Sequence, residues 1–218
     1  LSAKIDEIIL KDLNKDFNGK NVIKDLSMRI PGGSKITITG KSGSGKSTLL
    51  NILMGFLMPD SGTVEIMGSV LNDQNVHKLR RGISWVPQEL QIDINYVNEL
   101  LILPFKYHKN KHHNPSKESI SQMLDMFGLS PVILNQEVID ISGGERQRIF
   151  LAAAALLKRN IYFLDEPTST LDSESKLKVM NYFLRDCSAT IVAVTHDKEW
   201  MDNSNMILDM NNNKADTK

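Results

Sequence analysis

Gly40-Lys41-Ser42-Gly43-Ser44-Gly45-Lys46-Ser47-Thr48 gathers glycines, a lysine and hydroxyls into one short run, a composition suited to holding anions. It satisfies G-x-x-x-x-G-K-[ST], with the alternating Ile36-Thr37-Ile38-Thr39 before it and the apolar Leu49-Leu50-Asn51-Ile52-Leu53 after it. Strand, glycine-rich turn and helix are therefore expected in that order. Gly40, Gly43 and Gly45 let backbone N–H groups turn inward with no Cβ in the way, so loop and helix dipole together form a nest for phosphate oxygens. Ser42 and Thr48 belong to the same nucleotide-binding run. Lys46 reaches the terminal phosphates, and Ser47 is placed to offer its hydroxyl to Mg²⁺.

Further polar residues stand where strands should end. The apolar run Ile161-Tyr162-Phe163-Leu164 delivers Asp165-Glu166, two carboxylates that are unfavourable in a core and useful at the crevice beyond a parallel sheet. Asp165 fits a Mg²⁺-holding carboxylate, and Glu166 a base or water-positioning group. The β-branched run Ala189-Thr190-Ile191-Val192-Ala193-Val194 leads in the same way to Thr195-His196-Asp197 and brings His196 to the same edge. Ile83-Ser84-Trp85-Val86 ends at Pro87-Gln88, a polar group at a site rim. Ser142 with Glu145 has the form of a capping box ahead of an alanine-rich helix. Gly143 and Gly144 cost that helix stability, a cost that makes sense if bare N–H groups there approach an anion.

The elements that must position these groups follow from pattern. Short apolar runs before Gly40, broken at Asn18-Gly19 and Pro31-Gly32-Gly33, read as two or three antiparallel strands. Phe17, beside the first turn, offers a face for an adenine ring or is an ordinary core aromatic. Thr63-Val64-Glu65-Ile66 is a further strand. From Glu89 to Ile141 the spacing turns helical, which reads as a helical insertion of about 89–141. Within it, His108, His112 and His113 lie among lysines. Those lysines repel a cation and no carboxylate or cysteine joins them, so the loop reads as solvated and basic. Ser169-Thr170-Leu171-Asp172 is a polar turn before an amphipathic helix, and the tail from Asn211 reads as loose.

Bulk properties narrow the partners. The 218 residues permit one large domain with a subdomain, and Lys+Arg of 26 against Asp+Glu of 26 gives no basic field to draw nucleic acid. Cys187 is the single cysteine, so no internal disulfide forms. The longest apolar run, Ile149 to Leu157, falls well short of the roughly 20 residues that span a bilayer.

Taken together, Gly40 to Ser47, Gln88, Ile141-Ser142-Gly143-Gly144-Glu145, Leu164-Asp165-Glu166, Ser169-Thr170-Leu171-Asp172 and His196 resemble the Walker A loop, Q-loop, signature motif, Walker B strand, D-loop and H-loop of ABC-type ATPases. The resemblance covers nearly the whole chain. Ile141, Glu145, Thr170 and Phe17 depart from the usual Leu, Gln, Ala and Tyr, and none of these changes removes a catalytic group. It implies an α/β fold, a P-loop NTPase with a RecA-like core, an antiparallel β-subdomain and an inserted helical subdomain, over one domain of 1–218. It implies ATP and Mg²⁺ as cofactors, with Lys46, Gln88, Glu166 and His196 catalytic and Ser47, Gln88 and Asp165 at the metal. The resemblance further implies that ATP is held between two head-to-tail domains, with Phe17 stacking on adenine and Ser142, Gly143, Gly144 and Asp172 completing the partner's site. The partners implied are a second copy or a homologous ATPase domain, and membrane domains, as separate transmembrane permease subunits or fused to the ATPase as in an exporter, that hold the chain at the cytoplasmic face of the membrane. Leu101-Ile102-Leu103-Pro104-Phe105 and Thr195-His196-Asp197-Lys198 look similar to small stand-alone ATPases of iron or metal exporters. The alternative, a soluble ABC ATPase acting on DNA or ribosomes, would bring coiled-coil heptads or two ATPase domains, and the sequence has neither.

Overall fold

Alternating apolar residues upstream of the glycine-rich loop form a hairpin. β1 (Ile8–Phe17) and β2 (Lys20–Ile30) pair antiparallel across Asn18-Gly19, both of which take positive φ as a tight hairpin turn demands. Ile8, Leu10, Leu13, Ile23, Leu26 and Ile30 turn inward and are buried. In this computed structural model, residues 7–88, 93–111, 114–212 and 214–217 are described. β3 (Lys35–Thr39) leads into the loop and α1 (Lys46–Leu53) leaves it. β4 (Ser61–Ile66) and β5 (Ser69–Val70) return to the hairpin and complete an antiparallel sheet in the order β2-β1-β4-β5. After the short α2 (Val76–Leu79), β6 (Ile83–Val86) opens the next layer.

The stretch expected to be helical carries α3 (Val97–Lys106), α4 (Lys117–Met126) and a 3-10 turn at Pro131–Asn135. Its expected first residue, Glu89, lies outside the described residues, as do His112 and His113. Then come α5 (Gly143–Leu156), β7 (Ile161–Asp165), α6 (Ser173–Met180), which passes into one π-helical turn at Asn181–Asp186, and β8 (Thr190–Val194). The chain closes with α7 (Lys198–Asp202), β9 (Met206–Asp209) and β10 (Lys214–Thr217).

The second sheet has the order β10-β9-β3-β8-β7-β6, parallel from β9 through β6. Its central strands are buried on both faces, and the alternation along β7 shows how they divide the core. Ile161 and Phe163 join the apolar cluster of α1 and the antiparallel sheet, while Tyr162 and Leu164 join the cluster around α5. Each such side chain contributes roughly 1.5–3 kcal/mol on burial. This is the α/β architecture expected, a parallel core with an antiparallel sheet beside it.

One expectation fails. The polar tail is not loose along its length, because Lys214–Thr217 pairs antiparallel with β9 from Lys214↔Asp209 to Thr217↔Met206. The outer edge of β9 would otherwise leave its ladder groups unpaired, and even a polar segment can satisfy them.

Candidate active site

At the C-terminal edge of the parallel sheet, a cavity of about 430 Å³ is walled by Val22, Ser42, Gly43, Gly45, Lys46, Ser47, Thr48, Gln88, Asp165, Glu166, Val194 and His196. It collects the residues that follow β3, β6, β7 and β8, each of which ends at this edge. Local chemistry shapes the loop side. Gly45 stands before α1 in the left-handed region, at φ 98°, and no side chain caps that helix, so its first N–H groups are left for a ligand. A Cβ on Gly45 would lie 2.9 Å from both Cγ1 and the carbonyl oxygen of Val22, and one on Gly40 would lie 2.6 Å from Ser44 Oγ. The lysine is folded over the loop, its ammonium donating to the carbonyls of Gly40 at 2.6 Å and Lys41 at 3.0 Å. Arriving phosphate oxygens would compete for those protons with a full negative charge.

The carboxylate side is set by β7 and β8. Burial, and next the charge of Glu166, push the Asp165 carboxyl above the usual range, with Lys46 acting against them. Glu166 has a backbone φ of 46°, in the left-handed region that glutamate seldom adopts. Its N–H donates to the carbonyl of Val194 at 2.8 Å and its Oε2 accepts from Thr195 Oγ1 at 2.9 Å. His196, which follows in the chain, is exposed in the cavity wall. Ser47, Gln88 and Asp165 present a hydroxyl, an amide and a carboxylate, a hard oxygen set of the kind Mg²⁺ takes.

Other residues singled out in the sequence stand outside this wall. Phe17 ends β1 with 45% of its surface exposed, and Lys15 Nζ sits 5.4 Å from its ring centroid. Ser142 caps α5 in a complete capping box: its Oγ accepts from the Glu145 N–H at 3.1 Å, while Glu145 Oε2 accepts from the Ser142 N–H at 2.9 Å and from Ser142 Oγ at 2.8 Å. The bond from the Ser142 N–H, then that from its hydroxyl, hold the Glu145 carboxyl below its usual range. Gly143 is open to solvent, and a Cβ on Gly144 would come 3.1 Å from the carbonyl oxygen of Thr170. Asp172 caps α6, accepting from the N–H of Ser175 at 2.9 Å and from its hydroxyl at 2.8 Å. Within one chain, then, the Ser142-Gly143-Gly144 corner packs beside the 169–172 turn and does not meet the phosphate loop.

Three members of the site carried no sequence signal strong enough to be singled out. Val22 walls the cavity from β2 and Val194 from the end of β8, and a valine in a strand looks like any other. Thr195 sits between a buried strand and His196, and only its contact with Glu166 distinguishes it from a strand residue.

A family model described as "ABC transporter" matches residues 23–169. The Fe(3+) ions import ATP-binding protein FbpC of Pseudomonas fluorescens is 34% identical over 195 residues, which cover 87% of this chain and 54% of that protein. The putative ABC transporter ATP-binding protein YjkB of Bacillus subtilis is 33% identical, covering 88% of this chain and 76% of that one. The chain spans only 27% of the lactococcin-A transport/processing ATP-binding protein LcnC of Lactococcus lactis, at 32% identity. Among solved structures, a dimeric ATP-binding cassette in a post-hydrolysis state, bound to ADP and Pi, superposes with a TM-score of 0.81 at 28% identity, covering 96% of this chain and 98% of that one.

Proposed function

The chain belongs to the ABC transporter family, and from that premise we propose that it is the ATP-binding and ATP-hydrolysing subunit of a transporter. One observation carries the reading: Lys46, Ser47, Gln88, Asp165, Glu166 and His196, drawn from four separate strand ends, share the wall of one cavity. The nest before α1 takes the phosphates and Lys46 shifts from loop carbonyls to their oxygens. Ser47, Gln88 and Asp165 would hold Mg²⁺, which when bound neutralises charge on the phosphates. Glu166 orients the attacking water, and the His196 imidazole faces the same space as a donor to the transferred group. Phe17, exposed at the end of β1, stacks on the adenine.

A second copy completes the site in head-to-tail fashion, bringing Ser142, Gly143, Gly144 and Asp172 to the γ-phosphate. The separation of that corner from the phosphate loop within one chain supports this, as does the dimeric state of the matching cassette. Transmembrane subunits are the remaining partners, and they hold the chain at the cytoplasmic face of a membrane. No helix among the described residues is long and apolar enough to cross a bilayer itself. A groove of about 430 Å³ between β6, α3 and α5, lined in part by Trp85, Leu103, Pro104, Tyr107 and Phe150, offers such partners an apolar seat. We take residues 89–141 as the helical subdomain that carries one side of it.

The test replaces Glu166 by Gln. ATP and Mg²⁺ should still bind, a closed dimer should accumulate in sedimentation, and turnover should fall by about 10²–10⁴-fold. A variant that stays monomeric with ATP, or turns over at the parent rate, removes the assignment.

A further inference from the structure

We propose that Thr195 is the positioning residue for Glu166, holding its carboxylate in the working orientation before nucleotide arrives; this rests on the assignment of Glu166 made above. A left-handed backbone at a glutamate aims the start of the side chain but leaves its terminal torsions free. The carboxylate is nonetheless tied, since Thr195 Oγ1 donates to Glu166 Oε2 at 2.9 Å. Thr195 is an effective anchor because it has nowhere to go. Its side chain is fully buried, its N–H donates to the carbonyl of Ile38 at 3.3 Å, and its Oγ1 accepts from the Asp197 N–H at 3.1 Å. With that lone pair occupied, the hydroxyl proton is directed at the glutamate.

The anchor extends to both sides of His196. Asp197 accepts from Thr168 Oγ1 at 2.9 Å, in the turn just after Glu166, and pairs with Lys176 of α6 at 3.2 Å. Thr195 and Asp197 thus tie the segment carrying His196 to the segment carrying Glu166 at two points. The two groups are thereby linked, and Oε1 of the glutamate accepts no hydrogen bond from the described residues.

Thr195→Val keeps shape and burial and removes the proton. In steady-state assays of the full chain, kcat should fall about 10- to 100-fold with KM for ATP within about twofold of the parent, because positioning and not binding is lost. Thr195→Ser restores the hydroxyl and should bring kcat back to within about threefold. In the Glu166→Gln background, single-turnover rates should show no further loss from Thr195→Val. The proposal is overturned if Thr195→Val turns over like the parent, if it loses ATP affinity together with kcat, if Thr195→Ser is as impaired as Val, or if the two losses multiply. Full turnover by Glu166→Gln alone overturns the assignment of Glu166 and this proposal with it, whereas failure of the Thr195 arms alone leaves that assignment standing.

Discussion

Two helices of this protein start in glycine-rich sequence and complete their first turns in opposite ways. α1 begins after Gly45 with no side-chain cap, and its lysine rests on carbonyls of its own loop. α5 begins at Ser142 with both arms of its capping box made, serine and Glu145 closing on each other. An uncapped helix start leaves donors to be satisfied from outside, so the first end is a receptor within its own chain. The second is already satisfied and rigid, and what it exposes is the backbone of Gly143 beside a fixed serine. On the head-to-tail reading proposed above, such an end would be presented to the partner's bound phosphate, which would account for glycines there at a cost in helix propensity.

The largest effect expected from this contrast is that of Ser142→Arg. It should lower turnover by about 100-fold or more by blocking the partner's site, while ATP affinity of the monomer in calorimetry stays as in the parent. Weakened binding to the monomer would erase the distinction between the two helix ends. Next is Lys46→Ala, which removes the cation inside the receptor end and should weaken ATP binding about 10- to 100-fold in the same calorimetry. Unchanged affinity would mean that backbone donors alone hold the phosphates. Ser142→Ala is milder: losing the cap costs about 1 kcal/mol, and Tm should drop by about 2–4 °C in calorimetric scans without nucleotide. No change in Tm would show that the capping box does not stiffen α5.

The smallest effect concerns Asp165 and has the opposite sign. Its carboxyl is raised in the folded chain, so its contribution to stability is present at acid pH and is lost as pH climbs through the folded value. Asp165→Asn removes that loss. At neutral pH without nucleotide, the variant should melt about 1–2 °C above the parent, and it should lose the extra stabilisation that ATP with Mg²⁺ gives the parent. A lower Tm would show that Lys46, and not burial, dominates at this carboxylate.

Much of this arrangement could be read before the fold was known, because the loop, Asp165, Glu166 and His196 each follow a strongly β-patterned run and parallel strands must deliver their ends to one edge. The capping box was legible for a different reason, being local: Ser142 and Glu145 are three residues apart. What escaped was non-local or weakly patterned. The Thr195 bond to Glu166 spans 29 residues and depends on β7 lying beside β8 in one register. β10 has no apolar alternation at all, and forms because β9 presents an edge to it. Phe17 was legible as an aromatic beside a turn, but its place outside the cavity wall depends on how β1 and β2 shift register along the hairpin.

The position of β3 between β8 and β9 has a consequence for how the protein is made. Met210 donates its N–H to the carbonyl of Thr39 at 2.9 Å, and the Lys41 N–H donates to Asn211 Oδ1 at 3.1 Å, so the rear of the phosphate loop is built from residues far downstream of it. Lys41 and Asn211 are 170 residues apart. At a synthesis rate of about 5–20 residues per second, the loop leaves the ribosome some 10–30 s before its rear wall exists. A nascent chain therefore displays the glycine-rich motif well before the residues that back it exist, and the loop gains its full support only once Met210 and Asn211 are in place.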